Sequence, residues 1–292
     1  MTHHFEKKGP WIAWSFVFGG KEMRKITVSL TLALLLLSAC APKEEVQTIT
    51  VGLECDYAPF NWTTSTSESD IAVAIDEAGA GFCDGYDIQV AQAIADGLDM
   101  TLVVKKMAWD GLITALNQND IDMIVAGMTD TEQRRQSVAF STPYYASDLV
   151  LVVKASSTFA GATTLAEFTG ASVIAQMGTF HNDLIDQITS VNHLTALGSA
   201  PLLVNSVQAG EADAMVTEYP VALSIVSSNP DLAIVQFAAN AGFTTDATDT
   251  TVSVALRLAD TELLADINTI LASISEETRN TWMADAIDRK PQ

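Results

Sequence analysis

Between Thr48 and Ala126 the chain alternates apolar runs too short for a helix with segments of helical period, and few folds accept that rhythm. Thr48–Leu53 mixes β-branched and small residues and reads as a first strand. Asp87 is placed to N-cap a helix over Ile88–Leu98, with Ile88, Ala91, Ile94 and Ala95 on one face. Met100–Lys105 then reads as a strand, Asp110–Asn117 as a helix and Asp122–Ala126 as a buried strand. Strand, helix, strand, helix, strand is the order of a parallel sheet with crossover helices. Between the first strand and the first helix, Pro59 forces a turn and Thr63–Asp70 reads as a loop. Ile71–Ile75 suits a hairpin strand, and Gly79–Gly85 a second turn cluster.

A second alternation follows. Leu149–Lys154 reads as a strand leaving the first unit, Ser172–Gln176 as a strand, and Phe180–Ile188 and Leu202–Ala209 as helices. Ala214–Val216 is a strand, Tyr219–Ser227 a helix and Leu232–Gln236 a strand. After the Gly/Asn/Thr/Asp-rich stretch Asn240–Thr250 come a strand over Val252–Leu256 and a helix over Thr261–Ile274. That helix turns Leu263, Leu264, Ile267, Ile270 and Leu271 inward, and a last helix covers about Glu276–Ile287. A chain of 292 residues is long enough for two such units, each with its own core, so the pattern predicts an α/β protein of two lobes.

Gly127–Tyr145, GMTDTEQRRQSVAFSTPYY, closes the first unit. A Gly-Met-Thr turn follows the apolar run Ile121–Ala126, and Arg134 lies on a short helical segment opening at Thr131. A basic group at a strand end, beside a helix start with unpaired N–H donors, outlines an anion site.

Ahead of the first strand the sequence reads as an export signal. Met-Arg-Lys at 23–25 precedes an apolar or small-residue run from Ile26 to Leu37, too short to span a bilayer comfortably, and then Ser38-Ala39-Cys40. LSAC has the form of a lipobox, at which a diacylglyceryl group is attached to the cysteine and the chain is cut before it. The expectation is a signal region 1–39 that is removed, a lipid anchor on Cys40 to the membrane and a tether over 40–47. Residues 1–22 fit neither part, and Met23 reads as the start.

The net charge is −21, and residues 1–39 hold five of the Lys/Arg residues but two of the acids, so the remainder is more acidic still. Such a surface argues against nucleic acid or an anionic membrane surface as partner. With Cys40 used for lipid, Cys55 and Cys83 are left as an even pair, which in an exported protein is expected to be oxidised. No cysteine or histidine pattern calls for a metal or cofactor, and none is expected.

Taken together, LSAC, YAPF at Tyr57–Phe60, GYD at Gly85–Asp87, WDGLITAL at Trp109–Leu116, GMTDTEQR and FSTPYY make the chain resemble a family 3 solute-binding protein. This is the family of polar amino-acid receptors of bacterial ABC importers. The resemblance implies a two-lobe, type II periplasmic-binding-protein-like fold with two crossover strands as the hinge. Those crossovers are expected near Asp148–Lys154 and Phe237–Thr250, with lobe 1 over 48–148 and 244–292 and lobe 2 over 149–243. It also implies a free amino acid and permease subunits as partners, and a monomer.

Position by position, the resemblance puts the grip on the ligand α-carboxylate at Arg134, a planar fork suited to two parallel hydrogen bonds. Thr129 and the backbone of Gly127 fall on the adjoining turn. Glu218 falls on the acid that meets the α-amino group, one methylene longer than the usual Asp; from the sequence it also reads as a helix N-terminal acid. Tyr57 and Trp109 fall where rings sandwich the ligand side chain, and Gln176, Gly178 and Thr179 on the lobe 2 wall. Glu54, just before YAPF, sets side-chain specificity. A carboxylate among electron-rich rings suits a cationic tip, which predicts arginine or lysine, with glutamine the close alternative.

Catalysis is the competing class. Its candidates would be His181, His193, Asp56 and Glu218, yet no HExxH, GxSxG or Cys/His cluster is present. His181 is expected to cap a helix or meet solvent, and the chain is not read as an enzyme. A lipid-anchored sensor that binds without transport is the remaining alternative.

Overall fold

The computed structural model describes residues 47–290, apart from 68 and 247. The signal region, Cys40 and nearly all of the tether lie outside the described residues. The first half of the chain gives β1 (Thr48–Leu53), β2 (Asp56–Tyr57), β3 (Asn61–Thr64), β4 (Val73–Ala74) and β5 (Phe82–Asp84). It continues with α1 (Tyr86–Gly97), β6 (Thr101–Lys106), α2 (Leu112–Asn117), β7 (Met123–Ile124), α3 (Glu132–Arg135), β8 (Ala139–Phe140) and β9 (Tyr145–Ala146). The second half gives β10 (Leu149–Lys154), β11 (Ser172–Ile174), α4 (Phe180–Leu184), β12 (Asn192–His193), α5 (Ala200–Ala209), β13 (Ala214–Glu218), α6 (Tyr219–Ser228) and β14 (Leu232–Val235). Then come β15 (Thr251–Val252), β16 (Ala255–Leu256), α7 (Thr261–Ser273) and α8 (Glu276–Arg289).

The strands form two main five-stranded sheets, ordered β6-β1-β7-β16-β8 and β12-β11-β13-β10-β14. In the first, β1 is parallel to β6 and β7, and β16 runs antiparallel to β7 and β8. In the second, β11 is parallel to β12 and β13, and β10 runs antiparallel to β13 and β14. Each sheet thus closes its parallel part with an antiparallel strand borrowed from the connection between lobes. The connecting segments meet as a ribbon of β9 with β15. This is the expected two-lobe α/β architecture. Val51, Leu53, Val104 and Met123 are fully buried in the first sheet, and Leu151, Val153, Ala214 and Val173 in the second.

Several expectations shift. Val252–Leu256 is two short strands, because the chain leaves β9 at Val252 and enters the first sheet at Ala255. Between them Ser253 donates to the Met128 carbonyl and Val254 to Ser141 Oγ, so the bend stays hydrogen-bonded. Trp109–Gly111 and Ile185–Gln187 are 3-10 turns rather than α-helix, and Thr63 and Thr64 belong to β3 rather than to a loop.

Asp87 is not an N-cap. Helix α1 begins two residues earlier than expected, at Tyr86, with Gly85 as N-cap at φ 132°, where a Cβ would lie 2.2 Å from the Phe60 carbonyl oxygen. Only glycine fits there. Asp87 is instead buried, accepting from Asn61 Nδ2 at 2.8 Å and Tyr144 Oη at 2.7 Å. Burial pushes its carboxyl up to about 6. Around it pack Phe60, Tyr86 and Tyr145, with ring centroids 5.3 to 6.1 Å apart. The Cys55–Cys83 disulfide ties the end of β1 to β5 and so fastens the small β2-β3-β5-β4 sheet beside the cleft. Closing 28 residues stabilises by about 3–4 kcal/mol in the chain-entropy picture.

Candidate ligand-binding cleft

In each sheet the first strand of the parallel unit sits at an order reversal: β1 lies between β6 and β7, and β11 between β12 and β13. At such a point the connections part, leaving a crevice beyond the carboxyl ends of the strands. Glu54 follows β1, Gln176 lies just past β11, and Glu218 ends β13. The two crevices face each other. Gln176 Nε2 donates to both Glu54 oxygens at 3.0 Å, and the Tyr57 hydroxyl donates to Glu218.

Glu54, Tyr57, Trp109, Thr129, Arg134, Gln176 and Thr179, all expected in the site, wall one cavity of about 20 Å³, joined by Phe180 and His181. That is room for about one water, so any larger solute needs the two walls to part. A larger cavity of about 660 Å³ lies against 148–150 and 236–245, but Asp148 is its only ionisable group. The polar chemistry gathers in the small one.

Thr131 caps α3, its Oγ1 accepting from the Arg134 N–H at 3.3 Å. Arg134 Nη1 donates to the Thr129 carbonyl at 2.7 Å and Nη2 to the Gly178 carbonyl at 3.2 Å. Its guanidinium carbon stands 5.2 Å from the centre of the Trp109 ring. Burial lowers its pKa to about 10, partly offset by Asp183 and Asp130, so it stays cationic at neutral pH. Trp109 Nε1 donates to the same Gly178 carbonyl at 3.1 Å. Tyr57 stacks on Phe60 at 5.8 Å, which seats its ring on the aromatic block under the cleft.

Glu54 has Asp56 and Asp110 for charged neighbours, and among the described residues it forms no ion pair. Burial is the main reason its carboxyl rises to about 7; the two aspartates add to this and the Gln176 hydrogen bond opposes it. Glu218 is buried, and desolvation pushes it up to about 8. His181 Nε2 lies 3.4 Å from Glu218 Oε1. Desolvation, then Arg134, lowers His181 to about 4, so the imidazole is neutral at pH 7 and the approach is not an ion pair.

Two expected residues stand behind the cavity wall rather than in it. Glu218 is reached through Tyr57 and His181, and the Gly127 N–H is taken by the Tyr144 hydroxyl at 3.0 Å, which leaves its carbonyl to offer. The expectation for His181 is overturned: it is 7% exposed and faces the cleft, not solvent. Its place in the first turn of α4, directly after the Gly178-Thr179 turn, was the available signal. Among the described residues no group of three or more His, Cys, Asp or Glu side chains is placed to hold a metal.

A sequence model of bacterial extracellular solute-binding proteins, family 3, matches residues 49–284. The chain belongs to that family. Its members are solute-binding proteins of ABC importers that work outside the cytoplasmic membrane, not enzymes. No helix among the described residues is long and apolar enough to cross a membrane. An arginine-binding periplasmic protein of Mannheimia haemolytica is 27% identical over 188 residues, 64% of this chain and 70% of that one. An amino acid ABC transporter substrate-binding protein of Streptococcus pneumoniae, solved with L-arginine bound, superposes with a TM-score of 0.70 at 27% identity. That match covers 82% of this chain and 94% of the other. An ancestral arginine-binding protein bound to glutamine gives a TM-score of 0.66 at 28% identity, covering 82% and 96%.

Proposed function

We propose that this solute-binding protein captures a basic amino acid, arginine or lysine, and presents it to the permease of an ABC importer by closing two lobes, 48–148 with 244–292 and 149–243. The observation that carries this is the charge balance of the cleft. Among the described residues Glu54 and Glu218 are two buried or half-buried acids without a cationic partner, the His181 beside Glu218 being neutral, and Arg134 is one cation. The complementary solute carries one carboxylate and two cationic groups. Arg134 takes the α-carboxylate, Glu218 and the Gly127 carbonyl take the α-ammonium, and Glu54 takes the side-chain tip between Tyr57 and Trp109. Thr129 and Thr179 complete the polar wall. Ligand contacts made across both lobes shift the population toward the closed form. Cys40 carries the lipid anchor that keeps the receptor, acting as a monomer, at the membrane.

Glutamine is the second reading. Glu54 already accepts hydrogen bonds from a carboxamide, that of Gln176, and an arginine-binding relative has been solved with glutamine bound. Calorimetry with arginine, lysine, glutamine and glutamate at pH 8 decides. Binding of glutamine or glutamate at least tenfold tighter than either basic amino acid overturns the first reading.

A further inference from the structure

Gln176 occupies an unusual position for a wall residue. It belongs to the second lobe, yet its carboxamide nitrogen meets both oxygens of Glu54, the residue that reads the ligand tip in the first, across 122 positions of sequence. Its other hydrogen goes to the Gly198 carbonyl at 3.2 Å, so the amide is held from its own lobe and reaches over the cleft already oriented. A carboxylate offers about four lone-pair directions, so Glu54 keeps acceptor capacity for a ligand while Gln176 stays on it.

We propose that Gln176 couples the charge of the ligand side chain to lobe closure, acting through Glu54 as a positioning residue that makes the closed state itself selective for cations. This rests on the reading of Glu54 as the tip-binding group. A neutral carboxyl gives Gln176 an ordinary hydrogen bond, whereas an ionised one gives a charge-assisted bond about twice as strong. The groups facing Glu54 are Asp56 and Asp110, which oppose its ionisation, and Gln176 and the Trp109 backbone, which favour it. None is a cation. A guanidinium or ammonium at the ligand tip therefore supplies the missing charge, holds Glu54 ionised and strengthens the bond that joins the lobes. A carboxamide tip does not.

Removing an internal partner that merely competed with ligand would change every affinity by one common factor, so the test is the ratio between ligands. Wild type, Gln176→Met and Gln176→Ala are titrated calorimetrically with L-arginine and L-glutamine at pH 7, with compaction followed by solution scattering. Arginine affinity is expected to fall about tenfold in both variants and glutamine affinity about threefold or less, so the preference for arginine narrows. Arginine-induced compaction weakens, and the pH at which arginine affinity falls to half moves upward because Glu54 has lost a donor. Equal losses for both ligands, or an unchanged arginine affinity, in a variant that melts within a few degrees of wild type overturn the coupling. A wild type that prefers arginine or lysine while the variants keep its ratio refutes this inference alone. A wild type that binds no basic amino acid refutes the proposed function and this inference with it.

Discussion

Glu54→Gln is the most informative single change, because it keeps the shape of the side chain and removes only the charge. A charge-assisted hydrogen bond to a partly buried carboxylate contributes about 1.5–3 kcal/mol, so arginine affinity at pH 8 should fall roughly 10- to 150-fold. The pH dependence makes the test sharper. With carboxyls near about 7 for Glu54 and about 8 for Glu218, both must ionise to meet a doubly cationic ligand. From pH 8 to pH 6 the ionised fraction of Glu54 falls about tenfold and that of Glu218 about fiftyfold, which together weaken wild-type binding by about 500-fold. In Glu54→Gln only the Glu218 factor remains, so the profile should be about tenfold shallower over the same interval. His181, lowered to about 4, and Arg134, at about 10, do not titrate there. Calorimetry at pH 6, 7 and 8 measures both quantities. If Glu54→Gln binds arginine within threefold of wild type at pH 8, or its profile is as steep as wild type, Glu54 does not carry the ligand cation.

Arg134→Ala should cost at least a hundredfold in affinity for any α-amino acid, since two charge-assisted hydrogen bonds to the carboxylate are lost; a change of a few-fold in calorimetry would refute the assignment. Ligand-free stability should fall by roughly 5 °C in melting temperature from pH 6.5 to 8, because the folded protein holds protons on Glu54 and Glu218 that the unfolded chain has released. Below pH 6.5 two groups oppose each other: His181, its folded pKa lying under the unfolded one, gains stability as pH rises, while Asp87, raised to about 6, loses it, so the decline should extend down to about pH 5 in a thermal-melt series. Replacing both Cys55 and Cys83 by Ser should lower stability by about 3 kcal/mol in denaturant unfolding, with ligand affinity changing less than the stability does.

The strands and helices most legible in the sequence are those whose own residue pattern specifies the element, however distant their partners. Leu149–Lys154 and Thr261–Ser273 fall where periodicity puts them, because an apolar run or an amphipathic stripe specifies its own element. The misread ones depend on distant neighbours. Asp87 looks like a helix cap since an acid before an apolar stripe usually is one; only the approach of Asn61 and Tyr144, from 26 and 57 positions away, makes it a buried acceptor. Val252–Leu256 looks continuous because alternation records which face is buried, not which sheet a residue joins.

The site divides in the same way. Arg134, Thr129 and Trp109 sit in motifs that mark strand ends, and strand ends are where this kind of sheet opens a crevice. What no local pattern carries is that the two crevices face each other. Tyr57 meets Glu218 from 161 positions away, and Arg134 and Trp109 converge on one carbonyl of the other lobe, that of Gly178. Gly178 has φ 70°, and a Cβ there would lie 3.7 Å from the Trp109 ring, an ordinary contact. Glycine is needed at that point for the backbone conformation and not for space. The turn it permits sets the carbonyl where the indole N–H and the guanidinium both reach it, and the same turn follows Gln176 by two residues. One backbone turn in the second lobe therefore carries both the partner of Glu54 and the partner of Arg134, and under the proposed function this makes closure a single event for the two ends of the ligand.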